Sequence, residues 1–174
     1  MRVPDDDELA LAPGPRVRLL AADVGAHALV SQCVDVLGAD PAYPLVLWLG
    51  GRHAAVRVEE PWPRVWALRA LLYVWDDLAA VAVVEALADP AWRVREMAAK
   101  VARLRELPGA HLLGALLQDP LPRVRVAGLR ALAVVGEAEH APAVRDALDD
   151  ADAGVADAAA AALAALEERL DRRF

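Results

Sequence analysis

The chain has no threonine, one serine, one cysteine and one lysine, and each shortage closes off a class of chemistry. Ser31 is the only serine, with no nucleophile elbow around it, so hydroxyl-based covalent catalysis has one poor candidate. A lone cysteine, Cys33, excludes an intramolecular disulfide framework and a thiolate zinc cluster, and nothing calls for an oxidising compartment. Its context, Val30-Ser31-Gln32-Cys33-Val34, is apolar and helical and points to a buried, inert thiol. The four histidines, His27, His53, His111 and His140, stand apart, and no His-Glu or His-x-x-x-His spacing sets two metal ligands on one helical turn. Gly50-Gly51 lacks the further Gly, Lys and Ser/Thr of a phosphate cradle and reads as a turn. Acidic pairs at Asp76-Asp77 and Asp149-Asp150 fall at helix boundaries, where carboxylates complement the helix dipole. No catalytic, cofactor-binding or metal-binding constellation emerges.

Long apolar runs are also missing: no segment approaches the roughly 18 uninterrupted apolar residues of a membrane span. Asp5, Asp6, Asp7 and Glu8 occupy the place where a secretory signal would carry positive charge, so the expected location is the cytoplasm. Aromatics make up 5% of a chain that is 57% apolar, so the apolar content is mainly Ala, Leu and Val, which favours packed helices over a sheet sandwich. At 174 residues, one domain is expected. The net charge of −7 argues against wholesale phosphate binding, which needs Lys and Arg to displace counterions. Every basic residue except Lys100 is arginine, a skew that fits codon bias in a GC-rich, bacterial genome and makes arginine alone a weak clue.

What the chain does have is an internal echo. Asp89-Pro90-Ala91-Trp92-Arg93-Val94-Arg95 aligns without a gap on Asp119-Pro120-Leu121-Pro122-Arg123-Val124-Arg125. Related turns begin at Glu60 and Asp150, and a degenerate copy at Asp40-Pro41-Ala42 makes the first unit irregular. A repeat of about thirty residues signals stacked supersecondary units. Asp is a favoured N-cap and Pro is tolerated at the first helical position, so each Asp-Pro is expected to start a helix. Behind the turns, Val94, Ala98, Val101 and Ala102, then Val124, Gly128, Ala131 and Leu132, then Val155, Ala159, Ala162 and Leu163 recur at helical spacing as core faces of a second helix. First helices are predicted over 78–87, 110–118 and 141–148, and weaker ones over 23–37, 41–49 and 53–58. Residues 1–15 read as a flexible acidic tail, and 16–174 as one repeat domain, irregular over 16–59 and regular over 60–174.

Asp at the hairpin turn, Val-Arg early in the second helix, and Ala and Leu beyond it resemble the HEAT-repeat family, in particular the bacterial HEAT-like repeats also found in phycobilisome lyases. The resemblance implies an all-α fold, an α-solenoid of about four to five helical hairpins. It also implies a ladder between neighbouring repeats, here Asp89, Arg95, Asp119 and Arg125. Trp66 and Ala156 stand where the ladder arginine belongs, as in capping units that lack a neighbour. Iron-binding HEAT-repeat hydroxylases carry repeated His-Glu pairs, which this sequence lacks.

On a helical wheel the face opposite the core holds Arg93, Glu96, Lys100 and Arg103 in one second helix and Arg123 and Arg130 in the next, with Trp92 projecting the same way. In a HEAT solenoid second helices line the concave wall, so these residues form an expected basic stripe. Trp92 and Trp62 would be its aromatic anchors, and Glu96 would temper its charge. Trp48, Trp66 and Trp75 read as core or capping residues. The expected function is a non-enzymatic protein-interaction scaffold, binding an acidic protein or peptide on that wall. The alternatives are a nucleic-acid binder resembling HEAT-like DNA glycosylases, which the net charge opposes, and a bilin-lyase-like chaperone subunit. The Ala-rich final helix offers a surface for homo-oligomerisation.

Overall fold

Alanine, leucine and valine at helical spacing make an all-α protein: the computed structural model describes residues 1–38, 43–56 and 59–174, and no strand occurs among them. The degenerate turn at Asp40, Pro41 and Ala42, and the end of the helix expected over 53–58, lie outside the described residues. Two compact units divide the chain, residues 1–83 and 84–174, within the stretch that reads as a single repeat domain. No single described helix is long and apolar enough to cross a membrane.

The first unit contains α1 (Asp6–Ala10), α2 (Pro13–Val24), α3 (Ala26–Gly38), α4 (Leu45–Gly50) and α5 (Trp62–Leu71). Helix α6 (Ala80–Glu85) follows a 3-10 turn at Asp77–Ala79. Helices α2, α3 and α4 each pack on α5, and Leu20, Val30, Trp48 and Leu68 are fully buried. Where the sequence suggests a flexible tail over 1–15, the acidic run instead opens α1. Asp5 Oδ1 accepts the Glu8 N–H at 2.8 Å and Glu8 Oε2 accepts the Asp5 N–H at 2.9 Å, a reciprocal cap. Arg2 pairs with Glu8, holding that carboxyl down at about 2, and the Trp48 indole donates to the Arg2 carbonyl at 3.0 Å.

Arg16, 3% exposed, closes the C-terminal end of α4: its guanidinium donates to the carbonyls of Trp48 (2.6 Å) and Leu49 (3.2 Å) and to that of Leu11. These are carbonyls that a helix leaves without intrahelical partners, at the negative end of its dipole. Arg69 shares the Leu49 carbonyl at 2.9 Å. Burial, and then the like charge of Arg69, lower the Arg16 pKa. The turn expected at Gly50-Gly51 follows directly. Gly51 has φ +62°, and a Cβ there would run into the Arg16 guanidinium, so only glycine fits.

The second unit repeats one pattern three times. A short first helix tightens into a 3-10 turn, an Asp turn follows, and a long second helix begins. The short helices are the end of α6 with Ala86–Ala88, α8 (Ala110–Ala115) with Leu116–Gln118, and α10 (Ala141–Asp146) with Ala147–Asp149. The long ones are α7 (Trp92–Arg105), α9 (Pro122–Val135) and α11 (Ala153–Leu170), with α9 packed against both α7 and α11. Val94, Ala98, Val101 and Ala102 are all 0% exposed, as are Val124, Ala131 and Leu132. In α11, Val155, Ala159 and Ala162 are buried, whereas Leu163 is half-buried.

The Asp-Pro turns depart from expectation. The residues at the N-caps of α7 and α9 are Ala91 and Leu121, so Asp89 and Asp119 lie two positions earlier and do not cap the helices. Their carboxylates accept the N–H two residues on, from Ala91 at 2.7 Å and Leu121 at 2.9 Å. Asp150 does the same with Asp152 at 2.9 Å. Such Asx turns are local competitors of helix capping. In each, one carboxylate oxygen, Oδ1, closes the turn. Of the three long second helices, only α11 receives a side-chain cap from an aspartate, Asp152, at 3.2 Å.

Candidate partner-binding wall

The carboxylates of Asp119 and Asp150 also build the ladder. Arg95 donates from Nε to Asp119 Oδ2 at 2.7 Å and from Nη1 back to the carbonyls of Asp89 (2.8 Å) and Pro90 (2.9 Å). Arg125 repeats this one layer on. It grips Asp150 through Nε and Nη2, both at 2.8 Å, and the Asp119 carbonyl at 2.9 Å. Each arginine therefore ties its own turn to the next layer's aspartate. These bonds lower the Asp150 pKa, with help from the Asp152 N–H, and raise that of Arg125. Asp150 was not among the ladder residues named from the sequence, although its turn aligns with Asp119 and would have identified it.

The other face of α7 and α9 carries the basic residues. At the N-terminal end, Trp92 is half-buried, with the guanidinium carbons of Arg93 and Arg123 over its ring, 4.2 Å and 4.7 Å from the centroid. The indole is thus covered in part by cations, not left as a free anchor. Glu96 is largely buried and central: Lys100 reaches it at 2.7 Å along α7, and Arg123 reaches it from α9 at 3.0 Å and 3.1 Å. Sequence reasoning put Glu96 on the solvated side as a weak modulator. Its contacts make it the electrostatic clamp between two layers. Trp92, Arg93, Lys100 and Arg123 of the expected stripe are therefore engaged within the protein.

The remaining two residues are different. Arg103 on α7 and Arg130 on α9 are exposed, and neither has an ion-pair partner among the described residues. Together with Asp157 of α11 they line an open depression of about 460 Å³ whose floor is small, with Ala133, Gly154 and Ala161 among its lining. Asp157 was missed because the stripe was traced along the basic residues of two second helices, and the only arginine of α11 is Arg169, in its last turn.

Trp62, the other expected anchor, stacks on buried Trp66 with ring centroids 6.3 Å apart. Trp48 and Trp66 are core residues, and Trp75 donates to Asp77 at 2.9 Å. Cys33 is buried, and burial pushes its thiol up to about 12. His27 bonds Asp76 at 2.8 Å, while buried His140 accepts the Glu137 N–H at 3.0 Å. Among the described residues His, Cys, Asp and Glu nowhere gather in threes as a metal site. Compared with known proteins, the chain matches no family model and no curated protein.

Proposed function

We propose that this chain is a non-enzymatic interaction module built of HEAT-like repeats, working in the cytoplasm and binding an acidic protein partner on the wall formed by α7, α9 and α11. The observation that carries this reading is the concentration of cations on one face of an acidic protein. Arg93, Lys100, Arg103, Arg123 and Arg130 share that face with Glu96 and Asp157, against a net charge of −7 for the whole chain. A local field of opposite sign to the bulk charge steers and selects an oppositely charged partner. The layered turns and the Asp-Arg ladder support the repeat reading, since they hold neighbouring second helices in one register.

The test is capture from a lysate of the native host on immobilised protein, comparing the wild type with a variant carrying Arg93→Glu, Lys100→Glu, Arg123→Glu and Arg130→Glu. Loss of a specific partner supports the wall, and retention of every captured partner refutes it. A gel shift with duplex DNA at low salt tests the nucleic-acid alternative, for which a salt-dependent shift is the signature.

A further inference from the structure

Glu96 and Arg123 touch across α7 and α9 and are 27 residues apart in sequence. The same spacing separates Arg103 from Arg130, and Arg130 from Asp157. Side-by-side second helices repeat their offset, so each of these pairs occupies the same diagonal across a helix junction. In the first junction, nearer the turns, the diagonal brings a carboxylate to a guanidinium and the pair closes. About two turns further along the same junction it brings arginine beside arginine, with no carboxylate among the described residues bonded to either. Like charges held at neighbouring positions repel unless an anion lies between them.

We infer that Arg103 and Arg130 form an anion-binding pincer that takes a carboxylate side chain from an acidic helical segment of a protein partner, seated in the depression over Ala133, Gly154 and Ala161. This rests on the wall being an interaction surface and adds to it which half receives the partner and what chemistry it receives. Two guanidinium groups present forked donors that match carboxylate geometry and strengthen each hydrogen bond by charge. The alanine and glycine floor leaves room for the partner's backbone to approach. Asp157, on the third side of the same depression, decides between anions. It opposes a doubly charged phosphate or a polyanionic nucleic acid, and it favours a segment in which the acidic residue is followed, one helical turn away, by a basic one.

Fluorescence anisotropy with a labelled helical peptide of glutamate, lysine and alanine, Glu and Lys one turn apart, tests the site on the full chain. The wild type binds, and the Arg103→Glu, Arg130→Glu double variant binds about tenfold or more weakly, since each lost charge-assisted pair costs of the order of a tenfold factor. A peptide with Glu replaced by Lys recovers binding to that double variant, a result that a general structural defect does not give. Asp157→Lys loses the preference for the lysine-bearing peptide over one with glutamine there. Circular dichroism verifies that the variants are folded. No binding by the wild type overturns the inference, as does tighter binding of single-stranded DNA than of the peptide. Should Arg103→Glu, Arg130→Glu bind normally while the fourfold wall variant above loses its partner, the pincer is wrong and the wall stands. If neither variant alters binding, both fall.

Discussion

Two glycines in neighbouring helices are expected to respond in opposite senses to the same substitution. Gly128 sits mid-helix in α9, where alanine gains about 1 kcal/mol of intrinsic helix propensity over glycine. A Cβ there, however, meets the Leu116 Cβ at 3.0 Å and, at 3.2 Å, both the Leu113 carbonyl oxygen and a Leu117 methyl. Ordinary carbon contacts lie near 3.5–4.0 Å, and overpacking a close-packed junction costs about 1–3 kcal/mol. Because one obstacle is backbone and another is a Cβ, neither can rotate away, and Gly128→Ala is expected to destabilise by about 1 kcal/mol net. Gly114 in α8 is the control: its Cβ would meet only a His140 ring carbon at 3.6 Å, an ordinary contact. Gly114→Ala should therefore keep most of the propensity gain and stabilise by about 0.5–1 kcal/mol. In thermal unfolding the pair should move the midpoint in opposite directions, by about 2–4 °C each. Stabilisation by both variants would refute the close packing of α9 on α8 and its 3-10 extension.

Arg16→Met keeps the apolar stem but orphans the Trp48 carbonyl, and is expected to destabilise by about 2 kcal/mol in urea unfolding. A neutral result would mean that the cost of burying a cation without a carboxylate matches its hydrogen bonds. Cys33 should stay unreactive toward a thiol-specific chromogenic reagent at neutral pH and titrate fully once the chain is denatured, because the thiol is buried and held near 12. Asp150, whose folded pKa lies below the ordinary 3.8, contributes stability above that value and loses it as pH falls through the depressed one. The stability gap between wild type and Asp150→Asn should accordingly be largest near neutrality and shrink in acid, and a gap that widens on acidification would contradict the Arg125 clamp.

The second unit was legible in the sequence because its period is regular: Val94 and Val124 recur thirty positions apart, and both are wholly buried. Arg95 and Arg125 recur with the same period, whereas their role in a ladder was implied by the resemblance to HEAT-like repeats. What failed to show was whatever depends on contacts between distant segments. Nothing local tells that Arg16 spans 32 residues to cap α4 at Trp48, or that Gly51 is glycine because that guanidinium lies against it. The capping role given to Asp89 and Asp119 followed from their preference for N-caps, but an Asx turn satisfies the same side chain and begins the helix two residues later. Trp92 looked like a free anchor because a helical wheel shows which way a side chain points, not that Arg123 from the next helix lies over its ring. The pairing of Arg103 with Arg130 likewise required the offset between neighbouring helices, which Glu96 and Arg123 reveal only once they are seen in contact.

The most direct measurement is residue-by-residue chemical-shift mapping of isotope-labelled protein titrated with the glutamate–lysine–alanine peptide. The largest, saturable changes should fall on Arg103, Arg130, Ala133 and Ala161, with the ladder residues Arg95 and Arg125 unmoved. Changes centred on the ladder, or confined to residues 1–83, would contradict binding on the wall of second helices.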